Sequence, residues 1–230
     1  MRQGIIFDFD DTLVYTNILF DQAKQAFYQR MAVLGLGDDH LSQTLNDFDI
    51  ANVQAFGGMV KECFPLALGQ TYKFYASKVG LKASPAEVEN VENMGWQVFS
   101  RPLITLPGAV NLLKALQGNY RLFLLTQGDP VLQQERLAQS GLASFFTDCR
   151  VCKIKTAQSF GEVALINGLR PGDCWSIGNS LRSDIKPALT AGLRAIHLKT
   201  DGWDYEKQTP QGFFYAAKSL KDCGKYLRLF

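Results

Sequence analysis

An α/β fold is predicted by three features of the sequence: a parallel sheet core with helices on both faces, plus a separate α-helical lobe. First, short apolar runs of strand length recur at GIIFDF (4–9), YRLFLLT (120–126), DCRVCKI (148–154), CWSIG (174–178) and LRAIHL (193–198). Their nearly continuous apolar character is that of strands covered on both faces. Second, helical patterns lie between them, at PGAVNLLKALQ (107–117), PVLQQERLAQS (130–140) and TAQSFGEVALING (156–168). Strand and helix alternating in this way imply βαβ units and a Rossmann-like parallel sheet. Third, residues 16–100 break the alternation and read as helix.

Taken in order, the first run ends in carboxylates and gives way to the helical lobe. In TNILFDQAKQAFYQRMAVLG, Leu19, Ala23, Ala26, Phe27 and Met31 fall at helical spacing. KECFPLALGQTYKFYASKVG continues the helical character. SPAEVENVENMGWQVF opens with Ser84 as an N-cap, Pro85 in the first turn and Glu87 completing a capping box. The aromatics Phe48, Phe56, Tyr72 and Trp96 are expected in the core of this lobe. The domain expectation is therefore a core of residues 1–15 and 101–230 around a lobe of residues 16–100. Gly141 and Gly168 stand where helix C-caps belong.

Composition narrows the function classes. Hydrophobic residues make up 47% and charged residues 20%, a globular balance rather than a disordered one. A formal charge of +2 without a clustered Lys/Arg run argues against a nucleic-acid partner. Five scattered cysteines, an odd number, point to a reducing compartment rather than a disulfide framework. The Cys149–Cys152 pair lacks the second pair or the nearby His of a zinc site and reads as coincidence on a strand. The chain enters its first strand at once, leaving no room for a signal peptide. It also has no run near the ~20 apolar residues of a membrane span. The expectation is a soluble, cytoplasmic protein with no membrane partner; nothing in the sequence specifies an oligomeric state.

The chemistry-bearing residues fall at strand ends. DFDDT (8–12) crowds Asp8, Asp10 and Asp11 into four positions, and such carboxylates repel unless a cation, a proton or a reaction intermediate sits among them. Asp8 and Asp10 are two apart, so on an extended segment they project to the same side. LLTQG places Thr126, Gln127 and the flexible Gly128 after a strand, offering a hydroxyl and backbone N–H groups to an anion. Lys153 and Lys155 share a strand face ahead of a helix. Asn179 and Asp184 flank a Gly-Asn-Ser turn that opens another helix.

Together these segments resemble the haloacid dehalogenase superfamily of aspartate-nucleophile phosphohydrolases. DFDDT matches its first motif, Thr126 its second, a lysine its third and GNSLRSD (178–184) its fourth, in the family's order. The helical insert matches the family's mobile cap, with hinges near residues 14–16 and 100–106. The resemblance implies a magnesium-dependent phosphohydrolase acting on a small phosphorylated metabolite. Asp8 would be the nucleophile, forming an aspartyl-phosphate, and Asp10 the acid and base. Lys155 would complete the catalytic set, Thr126 and Gln127 would bind the phosphate, and Mg2+ would be held by Asp8, the Asp10 carbonyl, Asn179 and Asp184. Lys155, which directly precedes the helix carrying Phe160, is preferred to Lys153. Asn179 departs from the family's usual aspartate and removes one negative charge from the metal site. Asp11 is expected to tie the strand-end turn or the hinge through hydrogen bonds. The alternatives are a phosphomutase, a 2-haloacid dehalogenase (which needs no Asp10) and a non-catalytic binding module, for which Asn179 is the only support.

Overall fold

Two units make up the computed structural model, which describes residues 3–199 and 210–227. One comprises Met1–Thr16 with Leu103–Phe230, the other Asn17–Pro102. The first unit holds a parallel sheet of β1 (Gln3–Phe7), β2 (Tyr120–Gln127), β3 (Asp148–Cys152), β4 (Cys174–Gly178), β5 (Arg194–Leu198) and β6 (Tyr215–Ala217). Its strand order is β3-β2-β1-β4-β5-β6. Ile5 of β1 is level with Leu122 on one side and Trp175 on the other. The chain therefore leaves β1 in one direction for β2 and β3, and later in the other for β4. That reversal opens the crevice in which α/β folds bind ligands, beyond the carboxyl ends of the strands.

Alternate residues of each strand supply the two faces. Ile5, Phe7, Leu122, Leu124, Trp175 and Ile177 pack against α5 (Ala109–Leu116) and α9 (Leu220–Tyr226) on one face. Ile6, Phe123 and Leu125 pack on the other against α7 (Ala157–Ile166) and α8 (Lys186–Thr190). α6 (Pro130–Ser140) is capped by Asp129, whose carboxylate accepts from Leu132 N at 2.9 Å, and is closed by Gly141 at φ +69°. Gly168, at φ +68°, follows α7 in the same left-handed conformation.

Several expectations change. The first strand stops at Phe7 rather than running to residue 9, because the Phe9 carbonyl turns to accept from Leu13 N and Val14 N (2.9 and 3.2 Å). The third stops at Cys152, so Lys153 and Lys155 lie in the connection to α7 and share no strand face. The Gly-Asn-Ser turn opens a π-helical turn over Leu181–Ile185 before α8 begins. Sequence patterning did not reveal β6 or α9, whose three and seven residues are too few for a period to show.

The second unit contains α1 (Asn17–Val33), α2 (Leu41–Ala55), α3 (Cys63–Lys78) and α4 (Pro85–Ser100) around its own core of Phe27, Met31, Leu45, Leu68, Tyr72 and Val91. Ala26 is exposed, as are Phe56 and Trp96, so these three lie outside that core. Tyr72 is inside it and Phe48 packs against it. The capping box at α4 does not form. Glu87 is claimed by Arg30, whose Nε donates to Oε1 at 2.7 Å and whose Nη2 donates to Oε2, and by Asn90 Nδ2. A charged, two-pronged partner outcompetes a single backbone amide. The Ser84 amide donates instead to the Tyr72 hydroxyl at 3.2 Å.

Gly95 of α4 sits against α3, and a Cβ there would lie 2.7 Å from Pro65 Cα, a backbone atom that cannot swing aside. Gly95→Ala is therefore expected to destabilise the protein by about 1–3 kcal/mol from overpacking, although alanine is the better helix former. A thermal melt measures it, and an unchanged or higher midpoint would refute that packing.

Among the described residues, no helix is long and apolar enough to cross a membrane. All five cysteines are free.

Candidate active site

Asp8 follows β1 directly, and its amide donates to Ile177 O at 2.9 Å, carrying the β1–β4 pairing one residue past the strand. The next residues turn back sharply. Asp11 adopts φ +54°, its amide donates to Val14 O at 2.7 Å, and its Oδ1 accepts from Thr16 N at 2.9 Å. Asp11 thus ties the strand-end turn, as expected. Inside the turn, Thr12 Oγ1 donates to Asp8 Oδ2 at 2.8 Å.

Three buried charged groups meet beyond the strand ends. Lys155 Nζ donates to Asp8 Oδ1 at 2.5 Å and to Asp184 Oδ1 at 2.6 Å. Lys153 is exposed. Burial, then the Asp184 charge, push the Asp8 carboxyl up to about 7, and Lys155 works against them. Burial acts to lower the Lys155 ammonium, but Asp184 and Asp8 together override it and hold it above its usual range. The other oxygen of Asp184, Oδ2, accepts from Ser180 N at 2.9 Å. Gly178 makes room for this carboxylate: a Cβ there would lie 2.3 Å from Asp184 Cγ.

Asp10 engages a different set. Its Oδ1 accepts from Thr16 Oγ1 at 2.7 Å and pairs with Arg136 Nη1 at 2.7 Å, while Oδ2 accepts from Gln133 Nε2 at 2.7 Å. Gln133 Nε2 also donates to Thr126 Oγ1 at 2.6 Å, joining the ends of β1 and β2 through α6. Gln127 turns its Oε1 to the Lys155 amide at 3.4 Å, and Gly128 N donates to Cys152 O at 3.1 Å. Sequence reasoning passed over Gln133 and Arg136. Their spacing of three places them on one face of α6, just after the Thr126 turn, and that was the available signal.

Asn179 follows β4. Its amide N donates to Thr12 Oγ1 at 3.1 Å, and its main-chain oxygen lies 2.9 Å from His197 Nε2, a β5 contact that no motif announces. The end of its side-chain amide lies 3.2 Å from both the Asp10 main-chain oxygen and Asp8 Oδ2, and 3.3 Å from Thr12 Oγ1. With nitrogen facing this group, the amide donates to all three. With oxygen facing it, acceptors crowd together, an arrangement made favourable by a cation among them. No three His, Cys, Asp or Glu side chains among the described residues converge on a metal position. The oxygen set is mixed: one carboxylate, one main-chain carbonyl and one amide. That fits magnesium, which takes few protein ligands and completes its shell with water and substrate oxygens.

A parallel α/β core with this crevice, and a family model matching residues 3–192, place the chain in the haloacid dehalogenase-like hydrolases. Among its relatives, human N-acylneuraminate-9-phosphatase is 36% identical over 116 residues, covering 48% of this chain and 47% of that one. The chain spans about half the length of the curated relatives it matches at this level. A haloacid dehalogenase-like hydrolase from Xanthomonas campestris superposes with TM-score 0.82 at 22% identity, covering 99% and 91% of the two chains. The hydrolase YfnB of Bacillus subtilis, solved bound to magnesium, superposes with TM-score 0.67 at 22% identity over 99% of both.

Proposed function

We propose that the protein hydrolyses a small phosphomonoester through an aspartyl-phosphate on Asp8, with magnesium as cofactor. The observation that carries this reading is the buried Asp8–Lys155–Asp184 triad at the reversal point of the sheet. In the first step an Asp8 oxygen bonds to phosphorus, the ester P–O bond breaks, and Asp10 gives its proton to the departing oxygen. In the second, water attacks phosphorus, Asp10 takes its proton, and the bond to Asp8 breaks. Lys155 faces the phosphoryl oxygens with positive charge while Asp184 holds its ammonium in place. The Thr126 hydroxyl supplies a further donor. Asp8, the Asp10 carbonyl and Asn179 would hold magnesium, with Asp184 acting beside them. When bound, the ion offsets repulsion between Asp8 and the phosphate. The phosphatase relative and the magnesium-bound neighbour support the reading. The free thiols are consistent with the cytoplasmic, reducing location that accompanies it.

Magnesium-dependent release of phosphate from p-nitrophenyl phosphate is the direct test; its absence from pure, folded protein would overturn the assignment. The helical unit is assigned the choice of substrate. Substituting its surface residues should alter relative rates across a panel of phosphorylated metabolites, and an unaltered profile counts against that role.

Asp10→Asn is expected to slow alkyl phosphates about a hundredfold or more, and activated aryl esters far less, because only the former need a proton on the leaving oxygen. Equal losses on both would remove the acid role.

Asn179→Asp adds a full charge where an amide offers a dipole. Magnesium affinity should rise roughly ten- to a hundredfold, on the order of 1–3 kcal/mol. Calorimetric titration with magnesium and the activity midpoint should move together. An unchanged midpoint in both would remove Asn179 from the metal site.

A further inference from the structure

Asp10 is held through both of its carboxylate oxygens. Oδ1 accepts from the Thr16 hydroxyl and pairs with Arg136 Nη1, each at 2.7 Å, and Oδ2 accepts from Gln133 Nε2 at 2.7 Å. The holders are themselves cross-tied. Arg136 Nη1 donates to Gln133 Oε1 at 3.0 Å, and Arg136 Nη2 donates to Thr16 Oγ1 at 2.8 Å. The guanidinium carbon lies 5.7 Å from the ring centre of the fully buried Phe9, and the Arg136 side chain is only 12% exposed.

Arg136 thereby decides which way the Gln133 amide faces. Arginine donates and never accepts, so it holds the amide oxygen and leaves both amide hydrogens for Asp10 and Thr126. The reverse orientation would set an oxygen against the Asp10 carboxylate and an NH2 group against the guanidinium. The donors also distinguish the two carboxylate oxygens. With about two acceptor positions on each, Oδ1 is filled by Thr16 and Arg136, whereas Oδ2 keeps one position beside Gln133. That open position, on a side chain 27% exposed, is where a proton can be given or taken.

We propose that Arg136 is a positioning residue for the acid–base step, acting on Asp10 directly and through Gln133 so that Oδ2 exchanges the proton with the leaving oxygen. This deepens the phosphohydrolase reading and rests on the acid role of Asp10. Arg136 does not touch the reacting atoms; its effect comes from geometry, to which proton transfer is sensitive at the ångström scale.

The test compares kcat/KM for phenyl phosphate and p-nitrophenyl phosphate in the full chain at saturating magnesium. The phenyl ester depends far more on protonation of its leaving oxygen, and kcat/KM reports only events up to the departure of that oxygen. Arg136→Met is expected to lower the value for phenyl phosphate about tenfold and that for p-nitrophenyl phosphate far less. Arg136→Lys keeps the charge without the two-pronged reach and should show the same selectivity with a smaller loss. In an Asp10→Asn background, Arg136→Met should cost nothing further on phenyl phosphate, because the group it acts through is gone. A merely structural role would cost the same in both backgrounds. Melting curves establish that each variant is folded; should Arg136→Met fail to fold, Arg136→Lys takes its place in the same cycle. No loss, equal losses on the two esters, or a further loss in the Asp10→Asn background would overturn the positioning role. If Asp10→Asn itself slows both esters equally, the acid reading falls and this inference with it. A selective loss in Asp10→Asn and none in the Arg136 variants overturns the inference alone.

Discussion

Asp8→Asn is expected to cut phosphomonoester turnover by at least about a thousandfold, the scale on which enzymes lose activity when a nucleophile is removed. The amide oxygen can still accept from Lys155 or Thr12, so the hydrogen-bond frame around position 8 is largely kept. The change also removes one of two carboxylates held by the same ammonium. Burial and Asp184 raise the Asp8 carboxyl to about 7, so ionised Asp8 carries a desolvation cost at neutral pH that the amide does not. Stability should accordingly be unchanged or slightly higher. Loss of turnover with an intact melt is the expected pair of results. Mass spectrometry of the beryllofluoride- or phosphoryl-trapped wild type should place the adduct on Asp8. Residual activity near wild type, or an adduct on another residue, would sink the nucleophile assignment.

Lys155→Met should be the most destabilising of these substitutions, at about 3–5 kcal/mol near neutral pH, the usual cost of stripping one partner from a buried ion pair. It leaves Asp8 and Asp184 facing each other in a site where each is at most 8% exposed. The deficit should depend on pH with a definite sign. The Asp8 carboxyl already stands near 7 in the folded protein, against 3.8 for the ordinary group, and losing Lys155 removes a cause that holds it down. Between those values Asp8 holds a proton in both folded proteins that the unfolded chain gives up, so both lose stability as pH rises through that window, and above it only the variant keeps the proton. The variant's deficit should therefore hold steady between pH 4 and 7 and widen as pH rises above 7. Denaturant unfolding of both proteins at several pH values measures this. A deficit that does not change with pH would show that the lysine does not balance these carboxylates.

The contrast between these residues shows how much was legible in the chain. The βαβ order could be read because buried parallel strands must be apolar on both faces, which leaves runs such as YRLFLLT. The helical insert could be read because three of its four helices, α1, α3 and α4, carry helical patterns long enough to show, whereas no pattern marked α2. Carboxylates after GIIF could be placed at a strand end by the same logic, since they cannot lie within a strand buried on both sides. The haloacid dehalogenase-like resemblance rested on that order of motifs, and the family model covers the same stretch.

Other features depended on folding distances that no local pattern carries. Lys153 and Lys155 differ by two positions in the sequence, and it took the end of β3 at Cys152 to turn one to solvent and the other onto Asp8. Glu87 had the spacing of a capping box, yet Arg30, far away in the chain, took its carboxylate. Gln133 and Arg136 carried no motif, but parallel pairing of β1 and β2 brings α6 over the end of β1, where they hold Asp10. Periodicity and chemistry along the chain determined which elements form and which side chains stand at their ends. Which of those side chains share a proton, a charge or a cation was decided only by packing, because Coulomb and hydrogen-bond energies depend on ångström distances between residues more than a hundred positions apart.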